Sequence, residues 1–209
     1  MSRKVSQLAT ASGMLVLPWL LVGVAIAISL NSDFQFPHDV LSKLGASDSQ
    51  TKYISPAINN FPIGVLFVVF GARLTYLFSD HKLGRLSGGL VVLHGVASII
   101  AGVFSCDPGC PIFTGSFEQL VHTASGVVMF ASLIVAAGLW YPQGLIDAKF
   151  KRLGSISLAC AILSFVLLLL ALAGHLAGAY AGLFELLSYG VLCGWCFFLS
   201  YEKFLNPQV

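Results

Sequence analysis

Apolar residues fill six stretches of the chain, at 13–30, 61–78, 86–104, 117–141, 153–178 and 183–204, and polar residues collect in the connections between them. Each stretch runs to about twenty residues, the length an α-helix rising about 1.5 Å per residue needs to cross the hydrocarbon core of a bilayer. Strands fit poorly, since an open sheet in lipid leaves backbone groups unpaired. The pattern therefore predicts an all-α membrane protein, a six-transmembrane-helix bundle that forms a single domain over residues 1–209. A cleavable signal peptide is set aside for the first stretch, despite Arg3 and Lys4 ahead of it and Ala25 and Ala27 within it, because the apolar run is too long.

Charge then orients the bundle. With the N-terminus inside, Arg3, Lys4, Arg73, Lys82, Arg85, Lys149, Lys151, Arg152 and Lys203 fall on the cytoplasmic side, and only Lys43 and Lys52 fall outside. A bias of this kind in short loops fixes sidedness, so both termini are expected in the cytoplasm of a cell whose membrane holds the protein. Arg73 lies within the second stretch, near enough its inner end to snorkel. At 57% hydrophobic and 10% charged residues the chain is not an ordinary soluble domain. The net charge of +2 gives no ground for nucleic-acid binding, and membrane lipids are the expected partners. A homo-oligomer or a partner in a membrane complex stays open.

Two outer connections carry the polar residues. The first, 31–60, is long for a compact protein and is expected to be structured. Within it, residues 37–45 read as a short helix: Pro37 suits a first position, Val40, Leu41 and Leu44 form an apolar stripe, and Gly45 suits the stop. The second holds Cys106-Asp107-Pro108-Gly109-Cys110, with a turn at its centre. Gly174, Gly178 and Gly182 recur at four-residue spacing beside small alanines, which predicts close packing at this outer end.

Ionisable side chains at membrane depth are costly and are candidates for function. Asp107, His122 and His175 come from three elements that end at the outer surface, and Asp39 and Ser42 from the first loop can join them. Imidazole and carboxylate ligands suit zinc with one open position for water, so Asp107, His122 and His175 form a candidate metal set. Asp39, Ser42, Asp107 and His122 are the candidate catalytic residues. Against this stands a plainer reading in which the same residues are helix caps, interfacial polar groups and interhelical hydrogen bonds. Glu118 shares a helix face with His122, Glu185 lies in the outer part of the last span, and His94 lies near mid-membrane. Haem is disfavoured as a cofactor, because His175 lies nearer the surface than His94 and does not match its depth. Cys106 and Cys110 can form a disulfide in an outer loop where oxidation is possible, with free thiols and then zinc ligation the alternatives. Cys193-Gly194-Trp195-Cys196 mimics a redox motif but sits mid-span, where packing is the better account, as it is for Cys160.

The run Leu41-Ser42-Lys43-Leu44-Gly45, Asn59-Asn60-Phe61 at the second span, and Gly102-Val103-Phe104-Ser105-Cys106-Asp107 followed by His122 together resemble the "domain of unknown function 998" family of prokaryotic membrane proteins. The resemblance covers nearly the whole chain. It implies a six-helix membrane bundle, brings no established activity, and maps the family's recurrent Ser, Asp and His onto Ser42, Asp107 and His122. The leading functional expectation is an outward-facing, metal-assisted hydrolase or lipid-modifying enzyme. A non-catalytic lipid-binding or accessory subunit is the alternative, and a proton-linked transporter using His94 and Glu118 is a third.

Overall fold

The computed structural model describes the backbone of residues 3–205 and the side chains of residues 5–203. Arg3 and Lys4, on which part of the orientation argument rests, have side chains outside the latter range. Eight α-helices follow in chain order: α1 Arg3–Ser29, α2 Ile54–Ile58, α3 Asn60–Leu77, α4 Lys82–Val103, α5 Phe117–Gly138, α6 Trp140–Ile146, α7 Lys151–Ala177 and α8 Ala181–Leu205. Among the described residues there is no strand. Six helical segments are long and apolar enough to cross a membrane, at Val5–Ser29, Ile54–Leu77, Lys82–Val103, Phe117–Ile146, Ala148–Ala177 and Ala181–Lys203. The protein is a multi-pass membrane bundle.

The long helices close into a ring in the order α1, α3, α4, α5, α7, α8, with α8 returning to α1. The Ser200 hydroxyl donates to the Thr10 carbonyl where the first and last helices meet. Inside the ring lie Phe67, Phe70, Leu133, Trp140, Leu192 and Trp195. The outside is apolar too, as lipid demands: Ile162, Leu163, Phe165, Val166, Leu169 and Leu170 are all exposed along α7. Its opposite face buries Gly154, Ser157, Ala161, Ser164, Ala171 and Gly174. Small residues there let α8 approach, and the Ser188 hydroxyl donates to the Ser164 carbonyl at 2.9 Å while Trp195 Nε1 donates to Ser157 at 2.8 Å.

The closest helix pair is α3 with α4. A methyl group at Gly71 would come within 2.7 Å of the Gly88 carbonyl, and one at Gly64 within 2.7 Å of the Gly95 carbonyl. Gly64 and Gly71, and Gly88 and Gly95, are each seven residues apart, two turns of one face. That spacing is legible in the chain, but hydropathy, which treats glycine as neutral, passes over it.

Two expectations change. The helix over 37–45 contracts to a 3-10 turn over Leu41–Gly45, because Val40 is extended at φ −60°, ψ 144° and Pro37–Asp39 form a separate turn with His38 N–H and Asp39 N–H on the Gln35 carbonyl. The turn dips into the bundle, with Leu44 buried. The glycines after α7 serve different ends. Gly178, at φ 69°, stops the helix in a left-handed cap, with Ala179 N–H on the Gly174 carbonyl. Gly182 packs against the Asp39 carbonyl, so the close approach there is to a loop as well as to a helix.

Candidate active site

Three irregular pieces of backbone meet at one end of the bundle. The first is the Leu41–Gly45 turn. Its position is set by buried Leu44, whose carbonyl accepts from Thr51 Oγ1 at 2.7 Å and Ser49 Oγ at 2.9 Å, and by Leu41 N–H, which donates to Glu185 Oε2 at 2.7 Å. The second is the break between α2 and α3 at Asn59, where φ −110° and ψ −74° interrupt the helix. Pro62, four residues on, has no N–H to give the Ile58 carbonyl, and Trp19 Nε1 from α1 donates to it instead at 2.7 Å. Non-helical backbone at membrane depth is tolerated where it is buried in protein or lines a cavity, and both hold here. The third is the end of α4, whose last carbonyls have no partner within the helix.

His122, on α5, faces that third piece. Its Nδ1 lies 2.7 Å from the Phe104 carbonyl and 3.1 Å from that of Ala101. Carbonyls only accept, so Nδ1 carries the hydrogen, and in the neutral ring Nε2 is then an acceptor. Ser42 Oγ stands 3.2 Å from Nε2 and donates to it. A hydroxyl, an imidazole and an orienting acceptor are thus aligned across three elements, the arrangement that activates a serine as a nucleophile.

The same pattern recurs deeper. His94 is buried with Nδ1 2.9 Å from the Met129 carbonyl and Nε2 2.9 Å from Tyr189 Oη, so the tyrosine hydroxyl donates to it. Phe67 packs edge-on to the His94 ring at 4.2 Å. Between the two imidazole pairs lies a cavity of about 120 Å³, walled by Leu20, Val24, Ile63, Met129 and Phe130 and by the polar Ser42, Asn59, His122, Glu185 and Tyr189. The volume suits about four waters or one small functional group. Asn59 Oδ1 is buried without a hydrogen-bond partner, the single such side-chain atom among the described residues. It is turned against Gly23 of α1, where any larger residue would collide with it.

The other candidates lie elsewhere. Asp107 is committed to Ser116, whose N–H reaches Oδ2 at 2.6 Å and whose hydroxyl reaches Oδ1 at 2.7 Å. Those two bonds, backbone first, hold its carboxyl below the usual carboxylate range, against a smaller opposing effect of desolvation. Asp39 is paired with Lys43 at 2.6 Å, and both line a separate outer cleft with His38 and His175. Asp107, His122 and His175 are therefore kept apart, and no group of three metal-ligating side chains occurs among the described residues. The residues named for zinc do not fit it as a set. Glu118 is exposed at the start of α5, so it does not share a pocket with His94 or His122.

Cys106 and Cys110 are joined as a disulfide. This loop frames the site: the Cys106 carbonyl accepts from Ser47 N–H at 2.8 Å, Cys106 Sγ lies 3.5 Å from the Ser42 carbonyl, and Asp107 N–H donates to Gln119 Oε1 at 2.8 Å. Cys193 and Cys196 are buried free thiols in the helical core. Tyr189 was missed in the sequence, although it lies one turn beyond Glu185 on the same face, a spacing that could have drawn it in.

A family model described as "Protein of unknown function (DUF998)" matches residues 14–201. No curated protein and no solved structure matches the chain.

Proposed function

The chain belongs to the DUF998 family of proteins of unknown function, and from its site we propose that this member is a membrane-embedded acyl hydrolase. The reading is carried by one observation, the alignment of Ser42 Oγ, the two nitrogens of His122 and the Phe104 carbonyl beside a partly open cavity. Ser42 Oγ attacks the carbonyl carbon of a lipid ester or amide while its proton passes to His122 Nε2. The carbon–oxygen or carbon–nitrogen bond then breaks, and His122 returns the proton to the leaving atom. A water repeats the sequence on the acyl-serine, releasing the acid and restoring the serine. With Oδ1 turned to Gly23, the Asn59 carboxamide has its Nδ2 left to meet the oxygen that becomes negative during attack. The basic residues at the other end support an outward-facing site that draws on the outer leaflet.

A serine-reactive fluorophosphonate tests this directly. It is expected to attach to Ser42 in the purified protein, as read by peptide mass spectrometry, and not to the Ser42→Ala variant. His122→Gln is expected to slow attachment by about 10²–10⁴-fold, the usual contribution of a general base. A Ser42 left unmodified while the protein remains folded overturns the hydrolase reading. The apolar walls would then support a non-catalytic lipid-binding role, which requires no reactive serine.

A further inference from the structure

Two hydroxyls at this cavity donate to the protein itself and are left as acceptors for a ligand. Ser42 gives its hydrogen to His122 and Tyr189 gives its hydrogen to His94, so both oxygens turn lone pairs to the cavity. Glu185, four residues before Tyr189 and on the same helix face, lines the same wall. Its described bond is from the Leu41 N–H, which reaches Oε2 alone. Among the described residues Glu185 has no cationic partner: Lys43, in the same loop as Leu41, is paired with Asp39. The cavity imidazole, His122, directs its N–H at carbonyls, as does the His94 ring behind Tyr189. A carboxyl group placed inside a membrane protein without a counter-charge is the kind of residue that meets a charged or polar ligand.

We propose that the α8 wall of this cavity binds a protonated primary amine, held by Glu185 and Tyr189, and that the molecules it takes are amine-bearing lipids. An ammonium group offers three hydrogens and no acceptor, which complements carboxylate and phenolic lone pairs. The lipid path follows α5, whose junction with α7 is the loosest in the ring of long helices. On that side Gly126 lines the cavity, and a side chain there would meet nothing within 4 Å. The inference rests on the hydrolase reading for the reaction that follows, and not for binding.

Binding is therefore measured without turnover, in the Ser42→Ala protein in a non-ionic detergent, by calorimetric titration with dodecylamine, dodecanol and ethylamine. Dodecylamine is expected to bind saturably and about tenfold or more tightly than dodecanol, the ratio a charged hydrogen bond supplies. Ethylamine is expected to bind far more weakly, because it lacks the chain. Glu185→Gln is expected to erase the preference for amine over alcohol while leaving dodecanol unchanged. Equal binding of amine and alcohol, or a preference that survives Glu185→Gln, overturns the proposal. Ethylamine binding as tightly as dodecylamine overturns its lipid half. The comparison of amine with alcohol needs no α8 variant, so it stands even where Glu185→Gln fails to fold. Loss of serine labelling with the amine preference intact removes the hydrolase reading alone.

Discussion

His122 owes its tautomer to a helix that is not its own. The carbonyls at the end of α4 would otherwise be unpaired, and by accepting from Nδ1 they leave Nε2 free to take a proton from Ser42. Asp107, three residues further along, fixes the same loop from its other side. Its pKa lies below the ordinary 3.8 because the folded protein bonds the ionised form through Ser116. The ionised group thus adds stability at all pH values above 3.8, and that addition fades as the pH falls through the lower folded value. Asp107→Asn is expected to melt at a lower temperature than the wild type near neutral pH, with the difference closing in strong acid. A constant difference across a pH series of thermal melts would show that Asp107 does not act through its charge. Ser42 and His122 were both legible as candidates in the sequence. Their partnership was not, because it depends on the Phe104 carbonyl, and a backbone group at a helix end leaves no mark in residue type. The metal set read from Asp107, His122 and His175 failed for a related reason: three elements ending at one surface need not aim their side chains at one point.

At the level of helices, the six spans were readable because lipid demands long apolar runs, and these were all present. Their ends were not, since an apolar run does not say where backbone hydrogen bonding stops. The chain is helical from Arg3, well before the apolar run at residue 13, and the second span is divided at Asn59, a break marked in the sequence by Pro62 and not by hydropathy. The α3–α4 contact depends on four glycines that hydropathy counts as neutral. Gly71→Ala or Gly95→Ala places a methyl group within 2.6 Å of Val92 N or within 2.8 Å of Val68 N, so the helices must part. Each is expected to cost about 1–3 kcal/mol, the usual range for overpacking, and to lower the melting temperature in detergent. Gly190→Ala is the control, because a side chain there meets nothing within 4 Å. Equal melting of all three variants would mean that the glycines are not what brings α3 and α4 together.

For the molecule as a whole, orientation decides what the site can reach. Basic residues gather at the end where Arg73 Nε donates to Thr10 and Lys203 lies over the Phe78 ring at 4.9 Å, and the cavity lies towards the other end. Single cysteines in place of Asp48 and of Lys82 read the sidedness with a membrane-impermeant maleimide on intact cells. Asp48→Cys is expected to label and Lys82→Cys only after lysis; the reverse would turn the site to the cytoplasm.

The contact between Ser200 and Thr10 spans 190 residues of chain, so the ring closes only when α8, made after the other five long helices, meets the first. Until α8 inserts, the growing chain already contains Ser42, Asn59 and His122 but not Glu185 or Tyr189, and the cavity lacks a wall. On the hydrolase proposal, reactivity is in this way withheld during synthesis, because Ser42 and His122 are made before the wall that carries Glu185 and Tyr189.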